Sequence, residues 1–100
     1  MKNIGYLDIG GHNYEITEEE LVSPKADREL YGRHEVITSK IRINKNISIS
    51  RKKETLIHEV LHAVLMNGGH EHPEDIIDCI SNGFFQLGVG DYLWKKSQKK

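Results

Sequence analysis

One hundred residues, 37% hydrophobic and 29% charged, are enough for one domain with one modest core and too few for two. Fourteen basic and 15 acidic residues leave a formal net charge of −1, so the whole-chain field gives no reason to expect nucleic acid or an anionic membrane as partner. The lone cysteine, Cys79, rules out an internal disulfide, and no apolar run approaches the length of a membrane span. The opening "MKNIGYLDIGG" lacks the apolar stretch of a signal peptide, so the expected location is the cytoplasm of a bacterial host cell.

In chain order, "IGYLDIGGHNYEIT" has β-formers on both sides of Gly10-Gly11, a pair that tolerates the positive φ angles of a tight turn, and predicts a β-hairpin. "EEELVSPKADRELYG" mixes acids, a proline and a weak apolar pattern, which predicts an irregular connection holding one helical turn and ending near Gly32. "RHEVITSKIRIN" follows, with Val36-Ile37 and Ile41, Ile43 flanking Ser39-Lys40. The alternation in "KIRIN" predicts a half-buried strand and so a second hairpin. From Ser50, a candidate N-cap, "RKKETLIHEVLHAVLMN" has helical period and stops at Gly68-Gly69. Leu56, Ile57, Val60, Leu61, Val64 and Leu65 cover most of its circumference, which predicts a central helix. Pro73 suits the first position of another helix, "PEDIIDCISNGFFQLGV", and the short "GGHEH" linker forces the two helices to run antiparallel. "DYLWKK" adds a final turn, and residues 95–100, with Lys95, Lys96, Lys99 and Lys100, read as a solvated, disordered basic tail after a single domain over 1–94.

The chemistry sits in the first helix, where His58, Glu59 and His62 have the spacing H-E-x-x-H. Residues four apart on a helix lie about 6 Å apart along its axis, so His58 and His62 can converge on one ion. Two imidazole nitrogens suit zinc, and a third protein ligand leaves one position for water. Glu59, about 100° further round the helix, cannot join that column but reaches the water from the side, as a general base would. Two imidazoles and a carboxylate placed between Leu56-Ile57 and Ala63-Val64 are costly unless paired or metal-bound.

For the third ligand the downstream donors are His70, Glu71, His72, Glu74, Asp75 and Asp78. An antiparallel helix starting near Pro73 comes level with the metal close to Asp78, and Glu74, one turn short, recovers part of the gap through its longer side chain. Asp78 is therefore the first candidate and Glu74 the alternative. His70 and His72 reach the ion only if the linker folds back. Asn82, toward the same face as Asp78, is a candidate to fix a ligand histidine through its non-metal nitrogen. Stabilising an oxyanion needs a further donor, for which Tyr31, His34 and Tyr92 are available outside the helix pair. The "KIRIN" strand, taken as an edge, offers backbone groups to an extended substrate.

"ETLIHEVLHA" followed by "IDCISNGFF" resembles the gluzincins, thermolysin-like zinc peptidases, with an aspartate where the usual acidic ligand is glutamate. The order "LYGRHEVITSKIRIN", "KETLIHEVLHAV", second helix more closely resembles small H-E-x-x-H proteins of phages and mobile elements related to ImmA/IrrE-type metallopeptidases, over roughly positions 30 to 87. That resemblance implies an α+β, minimal zincin-like domain: two β-hairpins forming a small antiparallel sheet on an antiparallel pair of helices. It also implies one Zn2+ ion and hydrolysis of peptide bonds in a specific protein or peptide substrate, in several relatives a repressor or other regulator. A non-catalytic zinc-binding or protein-binding module acting on a host or regulatory protein is the competing reading, and Glu59 separates the two because a structural site has no use for a base beside the metal.

Overall fold

Gly10 and Gly11 take φ of 59° and 84°, and the strands on either side of them, β1 (Lys2–Ile9) and β2 (His12–Glu19), pair antiparallel from Ile9↔His12 onward. The positive φ angles that only glycine adopts at little cost thus set the register of the first hairpin. The computed structural model describes residues 2–23, 28–29, 32–35, 39–67 and 74–98. Beyond the hairpin come β3 (Val22–Ser23), β4 (Arg28–Glu29), β5 (Gly32–Glu35) and β6 (Lys40–Asn44), then α1 (Ile49–Asn67), α2 (Glu74–Gln86) and α3 (Val89–Gln98).

The main sheet has strand order β1-β2-β6-β5. β5 and β6 run antiparallel from Gly32↔Ile43 to Glu35↔Lys40, whereas β2 and β6 run parallel from Glu15↔Lys40 to Glu19↔Asn44. Two antiparallel pairs therefore meet along a parallel seam, and the sheet is mixed, a correction to the antiparallel sheet expected from the sequence. The seam carries side-chain ties of its own: Arg42 Nη1 donates to Glu19 Oε2 at 2.8 Å, and Lys40 lies 3.9 Å from Glu15. This order also corrects the edge assignment. "KIRIN" is β6, an interior strand paired on both sides, and β5 is the outer one. Val36 and Ile37 lie outside the described residues. In the connection expected to hold a helical turn, Val22↔Glu29 and Ser23↔Arg28 form a small ladder, and residues 24–27, 30 and 31 lie outside the described residues.

Alternation along the strands turns Leu7, Ile9, Tyr14, Ile16, Ile41 and Ile43 to one face, where they pack with Leu56 and Ala63 of α1. Tyr14, Ile16, Ile41, Ile43 and Leu56 have no exposed surface, so α1 is fixed on the sheet by buried apolar area worth about 1.5–3 kcal/mol for each fully buried large side chain. Lys52 of α1 adds an ion pair to Glu18 of β2 at 2.7 Å, half-buried on both sides. Helix α1 starts earlier than expected. Ser48, not Ser50, is its cap: Ser48 Oγ accepts from the Arg51 amide at 3.3 Å and the Ser48 carbonyl accepts from the Lys52 amide at 2.9 Å.

Helices α2 and α3 both pack on α1, and α3 also rests on β1. "DYLWKK" is thus part of a ten-residue helix that runs to Gln98, with Ser97 buried, so Lys95 and Lys96 are helical; Lys99 and Lys100 lie outside the described residues. Gly5 makes this packing possible, since a Cβ there would sit 2.5 Å from the Ser97 carbonyl oxygen. Among the described residues no helix is long and apolar enough to cross a membrane.

Candidate metal centre

His58 and His62 lie one turn apart on α1, after the turn that buries Leu56 and Ile57. Their rings meet edge to face at 62°, with centroids 4.8 Å apart and the two Nε2 atoms 3.1 Å apart. The helix holds them there: i,i+4 spacing stacks the two Cβ atoms, and packing of α1 on the sheet and α2 leaves the His62 side chain only 5% exposed.

Helix α2 closes the site from the other side. Glu74, its first residue, places Oε1 2.7 Å from His62 Nε2 and Oε2 3.1 Å from His58 Nε2. Asp78, one turn on, places Oδ1 3.1 Å from His58 Nδ1. The sequence expectation put Asp78 first among the candidate ligands and Glu74 second; of the two, Glu74 lies against both Nε2 atoms and Asp78 against Nδ1 of His58. In an antiparallel pair each turn of α2 has its own partner turn on α1. Asp78 falls level with His58, and Glu74 falls level with His62, where both Nε2 atoms point. The longer glutamate then spans the two rings.

His58, His62 and Glu74 form a group that could hold a metal ion. The donor set fits one. Two Nε2 atoms and a carboxylate lie mutually within 2.7–3.1 Å, and protons cannot satisfy every edge of that triangle, because two N–H groups facing each other across 3.1 Å repel. A cation satisfies all three lone-pair donors together. Ligands roughly 2.0–2.1 Å from a tetrahedral zinc sit about 3.3 Å apart, so the site would open by about 0.2 Å between the two rings and about 0.6 Å between His62 and Glu74. Asp78 supports the same reading from the far side of the ring: at 3.1 Å from His58 Nδ1 it is placed to accept from an Nδ1–H, the tautomer that would leave Nε2 free to bind an ion.

Glu59 is buried at 6% exposure on the same helix, between the two histidines in sequence. Asn82 is exposed, and Nδ1 of His58 is met by Asp78; Ser81, buried, donates to the Asp78 carbonyl at 3.2 Å within its own helix. His34 lies on β5, opposite Ile41 in the register. Tyr92 is exposed on α3 with the Lys96 ammonium 5.8 Å from its ring centre. Tyr31, His70, Glu71 and His72 lie outside the described residues.

The signal that could have found Glu74 was its i,i+4 spacing to Asp78, which repeats that of His58 and His62, so that two pairs one turn apart face each other across an antiparallel seam. No protein-family model matches the chain, and neither a curated protein nor a solved structure matches it.

Proposed function

We propose that this chain is a zinc-dependent metallopeptidase of minimal zincin type, the kind that "ETLIHEVLHA" resembles, with His58, His62 and Glu74 holding one ion, Glu59 as general base and Asp78 as the residue that positions His58. The observation that carries the proposal is the convergence of His58 Nε2, His62 Nε2 and the Glu74 carboxylate within 2.7–3.1 Å of one another. Zinc held there would polarise a peptide carbonyl and lower the pKa of water. The chain's own part is assigned to Glu59, the residue next to His58 in the helix. Glu59 takes a proton from the attacking water and returns it to the leaving amine, and its burial keeps that transfer away from bulk solvent.

The substrate is a protein or peptide segment, and strand β5, at the outside of the sheet and packed beside α1, gives an extended segment backbone groups to pair with. Exposure favours a catalytic over a structural role for the ion. The Glu74 side chain is 67% exposed and that of His58 is 20% exposed, which leaves the ion one side open to water, while structural zinc sites are closed by four protein ligands.

The test is Glu59→Gln. The expected result is unchanged zinc content and melting temperature with loss of at least a hundredfold in peptide-bond cleavage, since general base catalysis contributes about 10²–10⁴-fold. Cleavage or biological activity that survives the substitution would overturn the catalytic reading and leave a zinc-holding binding module in its place.

A further inference from the structure

The outward face of α2, continued into Leu87 by the hydrogen bond its amide donates to the Gly83 carbonyl at 3.2 Å, carries an apolar stripe that no part of the described chain covers. Ile76, Ile80, Phe84 and Leu87 are 52%, 39%, 39% and 79% exposed. At 100° per residue Ile76, Ile80, Gly83 and Leu87 fall within about 60° of one another, and the stripe is centred roughly 160° from the Glu74 and Asp78 side of the helix. These side chains expose on the order of 400 Å² of apolar surface, the size at which a patch marks an interaction site rather than scatter.

Gly83 sits in the middle of that stripe. It is a mid-helix glycine, a position that costs helix stability, and nothing among the described residues calls for it: a Cβ there would meet no atom within 4 Å, and its φ is not in the left-handed region. A glycine with open space outside it, flanked by large apolar residues, is shaped to receive a side chain from another molecule.

We infer that the chain forms a two-fold dimer in which α2 packs antiparallel on α2 of a second copy, Ile80 of each seated over Gly83 of the other. The stripe is complementary to itself about a point between Ile80 and Gly83. Antiparallel pairing there sets Ile80 against Gly83 and Ile76 against Leu87, with Phe84, on one flank of the stripe, facing Phe84 of the second copy, so that a large residue meets a small one near the axis and apolar ones meet at the ends. Such a matching of one patch with itself is what a two-fold contact requires and what an unrelated partner does not. Two such faces with their flanks bury about 1,000 Å² in total, the lower bound for a specific interface, so the dimer is a weak one that forms with concentration. The metal ligands lie on the opposite side of α2 and stay accessible.

Sedimentation velocity of the full chain over a range from micromolar to near-millimolar concentration tests this, run on the wild type, Ile80→Lys and Gly83→Leu. The expected result is a shift from 11.5 kDa toward twice that mass in the wild type, and a dissociation constant raised at least tenfold in both variants. Gly83→Leu separates packing from folding, because filling an open helical position raises the melting temperature of the monomer while closing the seat for Ile80. A wild type that stays monomeric overturns the dimer. A Gly83→Leu protein that dimerises like the wild type overturns the crossing at Gly83, and so does a dimer unaffected by Ile80→Lys. Neither outcome touches zinc binding or cleavage.

Discussion

Asp78 Oδ1 lies 3.1 Å from Nδ1 of His58, on the opposite side of the ring from the Nε2 that faces Glu74. In the proposed site the two acids of α2 would divide the work: Glu74 as a ligand and Asp78 holding a ligand histidine in orientation. Different costs follow. Glu74→Ala removes one of three protein donors and is expected to abolish stoichiometric zinc binding, whereas Asp78→Ala keeps all three and is expected to weaken it 10–100-fold, the usual cost of losing the group that orients a ligand histidine. Competition with a chromophoric chelator measures both. Equal losses in the two variants, or a larger one in Asp78→Ala, would return Asp78 to the ligand set.

Zinc itself should stabilise the fold, because the site joins α1 to α2 and does not exist in the unfolded chain. Free zinc at 100 times its dissociation constant adds about 2.7 kcal/mol by mass action. A melting temperature that rises with zinc in the wild type, falls back on adding chelator and does not move in His62→Ala is the expected pattern. His62 is the informative position because its side chain is only 5% exposed.

Much of the site was legible because it is local. The i,i+4 spacing of His58 and His62 and the position of Glu59 follow from helical period alone, as does the turn at Gly10-Gly11 from glycine stereochemistry. What escaped the sequence depends on tertiary placement. Alternating apolar residues fix which face of β6 is buried, yet not which strand lies beside it, and the long connection from Glu19 to Lys40 permits either direction. That Glu74, and not Asp78, lies against both Nε2 atoms has the same origin. Levels counted from the end of α1 place the two helices only to within one turn, and one turn separates the two acids.

The cap of α1 gives a test of local structure. Ser48 Oγ accepts from the Arg51 amide, while Ser50 lies inside the helix with its hydroxyl 3.2 Å from that of Ser48. Ser48→Ala is expected to cost about 1 kcal/mol in urea unfolding, and Ser50→Ala a few tenths at most. The reverse order would place the helix start where the sequence pattern first suggested it.

Asp91 ties α3 to the first turns of α1 through Lys53, whose Nζ lies 2.6 Å away. The Lys53 hydrogen bond, reinforced by the lysine's charge, holds the Asp91 carboxyl below its ordinary value of 3.8. An acid whose pKa is lowered by folding adds stability that is fully present above the unfolded value and is lost as pH falls through the lowered one. Asp91→Asn should therefore be less stable than the wild type at neutral pH, with the gap closing below pH 3.8 and shrinking in high salt. Urea unfolding of the two proteins side by side across that range reads it; a gap that persists in acid would mean that the aspartate acts through something other than its charge.

Two glycines should respond to the same substitution with opposite signs. At Gly5 an added Cβ falls 2.5 Å from the carbonyl oxygen and 2.9 Å from the carbonyl carbon of Ser97, and backbone atoms cannot swing aside as a side chain could. Either β1 or the last turn of α3 has to shift, next to the register irregularity between Asn3 and Gly5, and Gly5→Ala is expected to cost about 1–3 kcal/mol as an overpacked contact. At Gly83 the same methyl group enters open space on a helix, so Gly83→Ala is expected to gain about 0.5–1 kcal/mol from backbone entropy and helix propensity. Both are read at low micromolar concentration, where only the monomer contributes. A Gly5→Ala protein as stable as the wild type would mean that α3 does not lie against β1 as closely as the Ser97 contact places it.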